Sequence, residues 1–362
     1  MELPLTPPVP PMLATPVPAI PQSPGMVFEP KWDGYRCLVF RDGDEVVLQS
    51  RSGKPLTRYF PEAVDALRAA LPRRCVVDGE LVVAVGDRLS FDALSRRAHA
   101  AVSQIRALAE GSPASYLAFD LLAIEDVAVL TLPFAQRRDA LEQTLRGGPL
   151  VHLTPVTDSL ATARQWFTLF EGAGLDGLVG KGVNTPYSPG KRTMIKIKHA
   201  RTADCVLAGF RWHAPEGPGK AVGSLLLGLY DERGVLHHVG VVGAFPDTRR
   251  RALVAELDPL RAGASENHPW LGAHAADGRR LPGGENRWGA GEQPWEPLRP
   301  ERVVEVGYEH TEGDHPARFR QNARFQRWRP DRDPASCCYD QLEEPARYDL
   351  DAVLHGEIRT AP

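Results

Sequence analysis

The sequence predicts an α+β protein of two domains. Its 362 residues are enough for two domains of ordinary size. In the first 200 residues, strand-like and helix-like patterns mix, and two strands meet in a hairpin, so the order is not a strict β-α-β alternation. Beyond residue 200, short apolar strand-like runs dominate.

The first domain, placed at 26–200, follows a proline-rich arm at 1–25. Repeated proline blocks helix and sheet pairing, so we expect this arm to be extended and to lie on the surface. "YRCLVF" and "EVVLQS" flank "RDGD", whose Asp-Gly pair is typical of a hairpin turn. Pro61 followed by apolar residues at helical spacing predicts a helix over 61–71. Further strands are predicted at 75–85, 116–124 and 177–181, and further helices at 133–145 and 159–172.

The second domain, placed at 201–350, is predicted to be a small β-barrel of the OB-fold type. "DCVLAGFRW", "SLLLGLY", "VLHHVGVVGAF" and "RVVEVGYEH" are apolar strand-like runs, and "RRRALVAELDPLRA" fits one helix. Several short strands with one helix suit an OB-fold. The segment 262–300 is predicted to form long loops, in which Trp270, Trp288 and Trp295 either stack on a ligand or pin the loops. Residues 351–362 are predicted to be a C-terminal tail.

Composition disfavours several classes of protein. Apolar residues make up 43% and charged residues 25%, as in globular chains, and the net charge is −3. The five cysteines show no CxxC spacing, which disfavours a disulfide scaffold or a zinc site. The sequence shows no secretory signal and no apolar run near the ~20 residues that span a bilayer. We therefore expect a cytoplasmic protein, with a local basic patch at 318–332 that carries six arginines against Asp331.

The stretch "EPKWDGYR" at 29–36 raises the question of chemistry. Alone, its lysine and acids would more often form a surface ion pair. Six further stretches follow it in order, namely "SRSG" at 50–53, "VDGELV" at 77–82, "FDLL" at 119–122, "LDGLVGK" at 175–181, "MIKIK" at 194–198 and "RWRPDR" at 327–332. This ordered set resembles the covalent nucleotidyltransferases, and among them the ATP-dependent DNA ligases of small bacterial type without a separate N-terminal DNA-binding domain.

The resemblance, which runs from about residue 10 to residue 345, implies a fold and a reaction. The fold is a nucleotidyltransferase (ATP-grasp-like adenylation) domain followed by an OB-fold β-barrel. The reaction uses ATP and Mg²⁺, with Mn²⁺ as an alternative ion, and seals 3′-hydroxyl/5′-phosphate nicks in double-stranded DNA. It passes through a lysine–AMP adduct and an adenylylated DNA 5′ end. Every step displaces at phosphorus, so positioned cations matter more than acids and bases.

The resemblance also implies roles for residues. Lys31 is the nucleophile, Glu29 lies near the adenine amino group, and the Phe119 ring stacks on adenine. The contacts to ribose, phosphate or the leaving pyrophosphate are Arg36, Arg51, Glu80, Lys196, Lys198, Arg327 and Arg329, the last two with Asp331. Strand alternation puts Lys196 and Lys198 on one face. Glu80 and Asp176 are the candidate metal ligands, whereas Asp78 and Asp120 are more often structural partners.

Two positions depart from the family pattern. Asp176–Gly177 stands where Glu-Gly is usual, and the shorter carboxylate leaves open whether the metal is held directly or through water. Arg332 ends the last motif in place of lysine. The positive charge is kept, but a forked guanidinium replaces the single ammonium group.

Two other functions stay open on the sequence. An RNA ligase or capping-type nucleotidyltransferase shares Lys-x-Asp-Gly, and GTP charging would favour capping. A non-catalytic DNA end-binding module is disfavoured by the intact Lys31, Glu80, Lys196 and Lys198. For the ligase, we expect a monomer that acts in DNA repair, with a repair polymerase or an end-binding protein as the candidate partner.

Overall fold

In the computed structural model, residues 1–272, 279–283, 294–313, 316–342 and 346–358 are described. The chain divides into two compact units, Met1–Lys198 with Pro345–Pro362, and His199–Glu344. The boundary lies close to the expected one at residue 200. The C-terminal end differs from expectation, because the described residues 346–358 belong to the first unit and not to the second unit or to a separate tail.

Two sheets build the first unit. Its strands are β1 (Leu13–Pro16), β2 (Met26–Pro30), β3 (Tyr35–Asp42), β4 (Glu45–Ser50), β5 (Arg74–Val85), β6 (Arg88–Leu89), β7 (Ala114–Ile124), β8 (Val127–Ala128), β9 (Val151–Leu153), β10 (Leu178–Gly182) and β11 (Arg192–Ile197). One sheet has the order β1-β11-β10-β2. The other has the order β4-β3-β5-β7-β8, with β6 paired to β5 and β9 paired to β7.

The helices of the first unit are α1 (Pro61–Ala70), α2 (Phe91–His99), α3 (Val102–Gly111), α4 (Phe134–Thr144), α5 (Leu160–Leu169) and α7 (Leu350–His355). Three of them match the predicted helices at 61–71, 133–145 and 159–172. The α1 helix begins at a proline and buries Ala63 and Leu67 against the larger sheet, as its apolar spacing predicted. The sequence reading missed α2 and α3, although Ser90 caps α2 by accepting a hydrogen bond from the backbone N–H of Ala93.

The proline-rich arm is extended and mostly exposed, as expected, but part of it pairs and packs with the first unit. Its β1 strand pairs in parallel with β11, and the backbone N–H of Leu13 donates to the carbonyl of Lys191 at 2.7 Å. Leu3, Val9 and Met12 are buried in a cluster that also contains Phe40 and residues of both sheets. Proline keeps its carbonyl and tolerates an edge strand, so the residues between the prolines can pair and pack.

The second unit is β-rich, as predicted. Its strands are β12 (Arg201–Trp212), β13 (Val222–Tyr230), β14 (Leu236–Val242), β15 (Glu296–Tyr308), β16 (Thr311–Glu312), β17 (Arg318–Phe319) and β18 (Arg324–Trp328). Five of them form a sheet with the order β14-β13-β12-β15-β18, and β16 pairs with β17. The expected helix is α6 (Asp247–Leu257).

Two of the three loop tryptophans pin their loops to this core. Trp270 is 3% exposed, and its ring centroid lies 5.9 Å from that of Trp295. Trp288 lies outside the described residues. Nowhere in the described part of the chain is a helix long and apolar enough to cross a membrane.

Candidate active site

The predicted nucleophile follows strand β2 directly and lies beside Asp176. The backbone N–H of Lys31 donates to the Gly177 carbonyl at 2.8 Å, and the N–H of Asp176 donates to the Lys31 carbonyl at 3.0 Å. These two bonds bring the side chains together, and Lys31 Nζ forms an ion pair with Asp176 Oδ2. Lys198 Nζ lies 3.0 Å from the same oxygen. One carboxylate, 4% exposed, therefore joins two lysines that are far apart in sequence.

Gly177 makes this approach possible. Its φ is +122°, and a Cβ there would lie 2.0 Å from the carbonyl oxygen of Ile197. A side chain at position 177 would push β11, and with it Lys198, away from the nucleophile. The glycine of the Asp176–Gly177 pair is therefore required for the close approach of β11.

The smaller sheet presents its cations on one face. In its register, Val179 of β10 lies between Glu29 of β2 and Lys196 of β11. Residues opposite each other and residues two apart share a face. Glu29, Lys31, Lys196 and Lys198 consequently lie on one face, which agrees with the alternation predicted for the two motif lysines.

Glu29 forms a buried ion pair that the sequence reading missed. Lys181 Nζ lies 3.0 Å and 2.8 Å from the two carboxylate oxygens, and it donates to the Phe119 carbonyl at 3.2 Å. Burial raises the pKa of the Glu29 carboxyl, and the charge of Lys181 opposes this shift. Lys181 belongs to the quoted "LDGLVGK", but its pairing with Glu29 depends on the register of β10 against β2.

The larger sheet supplies the opposite wall. Arg36 donates from Nε and Nη2 to the two oxygens of Asp78, each at 2.6 Å, and Tyr187 also donates to Asp78 at 2.6 Å. Arg36 Cζ lies 4.5 Å from the centroid of the Phe119 ring. Asp78 therefore acts as a structural partner, as expected, and it holds Arg36 against the predicted base platform. Asp120 is likewise a partner, since it pairs with Arg137 at 2.7 Å.

Glu80 and Arg51 flank Arg36. The register of β3 and β5 sets Glu80 opposite Arg36, and burial raises the pKa of the Glu80 carboxyl to about 7, against the charges of Arg36 and Lys31. The hairpin register sets Ser50 opposite Cys37, so Arg51 follows at the end of β4 next to Arg36, with an exposed side chain.

The remaining predicted residues belong to the second unit. Arg327, 65% exposed, pairs with Glu305 at 2.8 Å. Arg329 pairs with Asp204 at 3.0 Å and with Asp331 at 2.9 Å. Acidic residues of the second unit thus form ion pairs with the arginines of the last motif. All the other predicted site residues belong to the first unit.

Glu80 and Asp176 remain the candidate carboxylates for a metal next to the predicted nucleophile. Among the described residues, no group of three or more His, Cys, Asp or Glu side chains is arranged to bind an ion. Glu80 and Asp176 are hard oxygen donors, and Mg²⁺ commonly uses one or two carboxylates together with substrate phosphates and water. Burial raises the pKa of Glu80 to about 7 despite the charges of Arg36 and Lys31, and a divalent ion beside this carboxylate would favour its ionised form. Asp176 already neutralises two ammonium groups.

Comparison with known proteins covers both units. Residues 11–198 match the family described as "ATP dependent DNA ligase domain", and residues 218–332 match "ATP dependent DNA ligase C terminal region". DNA ligase C of Mycobacterium tuberculosis is 52% identical over 364 residues, covering 98% of this chain and 99% of that protein. DNA ligase C1 of Mycolicibacterium smegmatis is 47% identical over 99% of this chain and 100% of its own. A solved structure from a study of Lig E DNA ligases shares the fold, with a TM-score of 0.50 at 19% identity over 88% of this chain and 99% of that chain.

Proposed function

The chain belongs to the ATP-dependent DNA ligases, and we propose that Lys31 is the residue through which it takes AMP from ATP and passes it to a DNA nick. The observation that carries this proposal is the cluster of Lys31, Asp176 and Lys198, in which a buried carboxylate holds the amine beside a second cation. The amine lies next to a wall that carries Arg36 and Glu80.

In the first step, Lys31 Nζ attacks the α-phosphorus of ATP. A phosphorus–nitrogen bond forms, the bond from the α-phosphorus to the bridging oxygen breaks, and pyrophosphate leaves. The ammonium first releases a proton to solvent and loses its ion pair with Asp176, because only the free amine is a nucleophile. Lys196 and Lys198 lie on the same sheet face and stabilise the negative charge that develops on the α-phosphate.

In the next two steps, AMP moves to the DNA and then leaves. The 5′-phosphate oxygen of the nick attacks the α-phosphorus and displaces Lys31. The 3′-hydroxyl oxygen then attacks the 5′-phosphorus, AMP departs and the strand is sealed. Lys196 and Lys198 serve all three steps, whereas Lys31 acts as a nucleophile only in the first.

Glu80, and Asp176 once the Lys31 nitrogen is bonded to phosphorus and carries no positive charge, are the residues that would hold Mg²⁺. The ion would supply charge neutralisation at the phosphates. The chain's own contribution is a pair of carboxylates on either side of the nucleophile and a set of cations fixed by strand register.

The cellular role belongs to the same proposal. We assign the enzyme to gap or break repair, as a monomer in the cytoplasm, and its 31% identity over 314 residues to the multifunctional non-homologous end joining protein LigD of Mycobacterium bovis supports the repair role. A repair polymerase or an end-binding protein is the partner that this role needs.

The test is covalent labelling with α-labelled ATP. We expect label on the wild-type chain and none on Lys31→Ala. Lys220→Met, which neutralises an exposed lysine of the second unit, is the control and should label like the wild type. A labelled Lys31→Ala chain would show that the nucleophile is misassigned.

A further inference from the structure

We propose that Lys181 is a positioning residue that sets the enzyme's choice of nucleobase, because it holds Glu29 ionised and oriented as a hydrogen-bond acceptor. This inference rests on the proposed function, in which the nucleotide lies between the two sheets with its α-phosphate at Lys31. Glu29 lies two residues before Lys31 on the same strand face, roughly 7 Å along the strand. It is therefore within a nucleotide's length of the reacting atom.

The contacts of Lys181 satisfy all the hydrogen-bond donors of its ammonium group. Its three N–H donors have three acceptors in reach, the two oxygens of Glu29 and the carbonyl of Phe119. Its Nζ also lies 4.7 Å from the centroid of the Phe119 ring and 4.6 Å from that of Phe134. Lys181 and Glu29 are each 3% exposed. A side chain held in this way has one orientation, and it fixes the orientation of Glu29.

A purely structural role explains this pair poorly. A buried ion pair often contributes no more stability than apolar side chains of similar size would, because both charges lose their hydration. A functional role explains the pair better, because a bound ligand could donate a hydrogen bond to the Glu29 carboxylate. Each Glu29 oxygen retains accepting capacity beyond its bond to Lys181, and a base that lies against Phe119 would meet that acceptor.

The charge state of Glu29 decides which base fits. An ionised carboxylate only accepts hydrogen bonds, so it matches the 6-amino group of adenine. A protonated carboxyl can donate, so it matches the 6-oxo group of guanine. Burial raises the pKa of Glu29, and Lys181 is the largest influence in the opposite direction, ahead of Arg138. Removal of the Lys181 charge would raise this pKa further and convert the acceptor into a donor at low pH.

The experiment measures covalent labelling with α-labelled ATP and GTP from pH 6 to pH 8, for wild type and Lys181→Met. We expect the wild type to prefer ATP at every pH. In Lys181→Met, the preference should fall by at least about tenfold at pH 6, with GTP labelling appearing, and it should recover as pH rises. Lys220→Met is the matched control, because it makes the same substitution at an exposed lysine.

Two results would overturn the proposal. One is a folded Lys181→Met enzyme with the wild-type preference at every pH, and the other is an equal loss of labelling with both nucleotides. If Lys181→Met does not fold, the double variant Glu29→Gln/Lys181→Met removes both buried charges, and it should show a weakened preference that does not change with pH. A double variant that discriminates like the wild type would also refute the idea. A wild-type chain that fails to label with ATP would instead sink the proposed function.

Discussion

Replacing Glu80 with glutamine should stabilise the protein at neutral pH while it impairs catalysis. Burial raises the pKa of this carboxyl from its ordinary value of 4.5 to about 7 in the folded state. A raised carboxyl pKa means that the folded state binds the proton more tightly than the unfolded state does. The free energy of unfolding therefore falls as pH rises from 4.5 to 7, and it is constant above that range.

The magnitude follows from the size of this rise. Each step of one in pKa corresponds to about 1.4 kcal/mol, so ionised Glu80 costs the folded state about 3 kcal/mol above pH 7. Glutamine has nearly the same shape and no charge to desolvate. For a unit of this size, that difference corresponds to a rise in Tm of roughly 6–12 °C.

The assay is unfolding in urea at several pH values between 4.5 and 8, for wild type and Glu80→Gln. We expect the stability of the variant relative to wild type to increase by about 3 kcal/mol over this range. Glu110→Gln, at an exposed carboxylate of α3, is the control and should show no such change with pH. Labelling with ATP should fall in Glu80→Gln. Stability curves that stay parallel across the whole pH range would refute the reasoning.

Three further predictions concern the reaction itself. Lys31→Ala should form no AMP adduct yet still seal a nick that already carries 5′-linked AMP, whereas Lys198→Ala should slow both reactions in single-turnover assays; an adduct on Lys31→Ala would contradict this. Asp176→Glu should stay active, while Asp176→Ala, which leaves two ammonium groups facing each other, should lower adduct formation about 10²-fold; full activity in the alanine variant would remove Asp176 from the site. Joining residue 198 to residue 346 through a flexible linker, which deletes the second unit, should cripple adduct formation, and undiminished labelling would give the last motif another task.

The sequence predicted those parts of the fold that depend on local patterns. The helix over 61–71 and the hairpin at "RDGD" depend on Pro61, on apolar spacing and on an Asp-Gly turn, all of which act within a few residues. The pairing of the proline-rich arm was missed because its partner strand, β11, lies some 180 residues later. Helices α2 and α3 were missed although local signals were present, since Ser90 is a favourable N-cap residue and Ile105 and Ala109 of α3 are buried one turn apart.

Sequence motifs predicted the members of the candidate site but not their contacts. Motif order selected Lys31, Glu80 and Lys198 as candidates, and strand alternation predicted that Lys196 and Lys198 share a face. The partner of Glu29 depends on the register of β2 against β10, which sets Val179 opposite Glu29 and leaves Lys181 within reach. That register is fixed by packing across 150 residues of sequence, and nothing in the spacing of "LDGLVGK" alone specifies it.

The return of the chain to the first unit has a consequence for synthesis on the ribosome. Tyr348, Ala352 and Val353 complete a core that also contains Trp166 and Phe170, and Trp166 Nε1 donates to the Gly356 carbonyl at 3.3 Å. The core of the first unit is therefore incomplete until residues that follow the whole second unit in the sequence have been translated. At about 5–20 residues per second, the second unit, His199–Glu344, takes roughly seven to thirty seconds to translate. During that interval the face around Phe170 is open to chaperones, and a product cut short in its last twenty residues would keep it open.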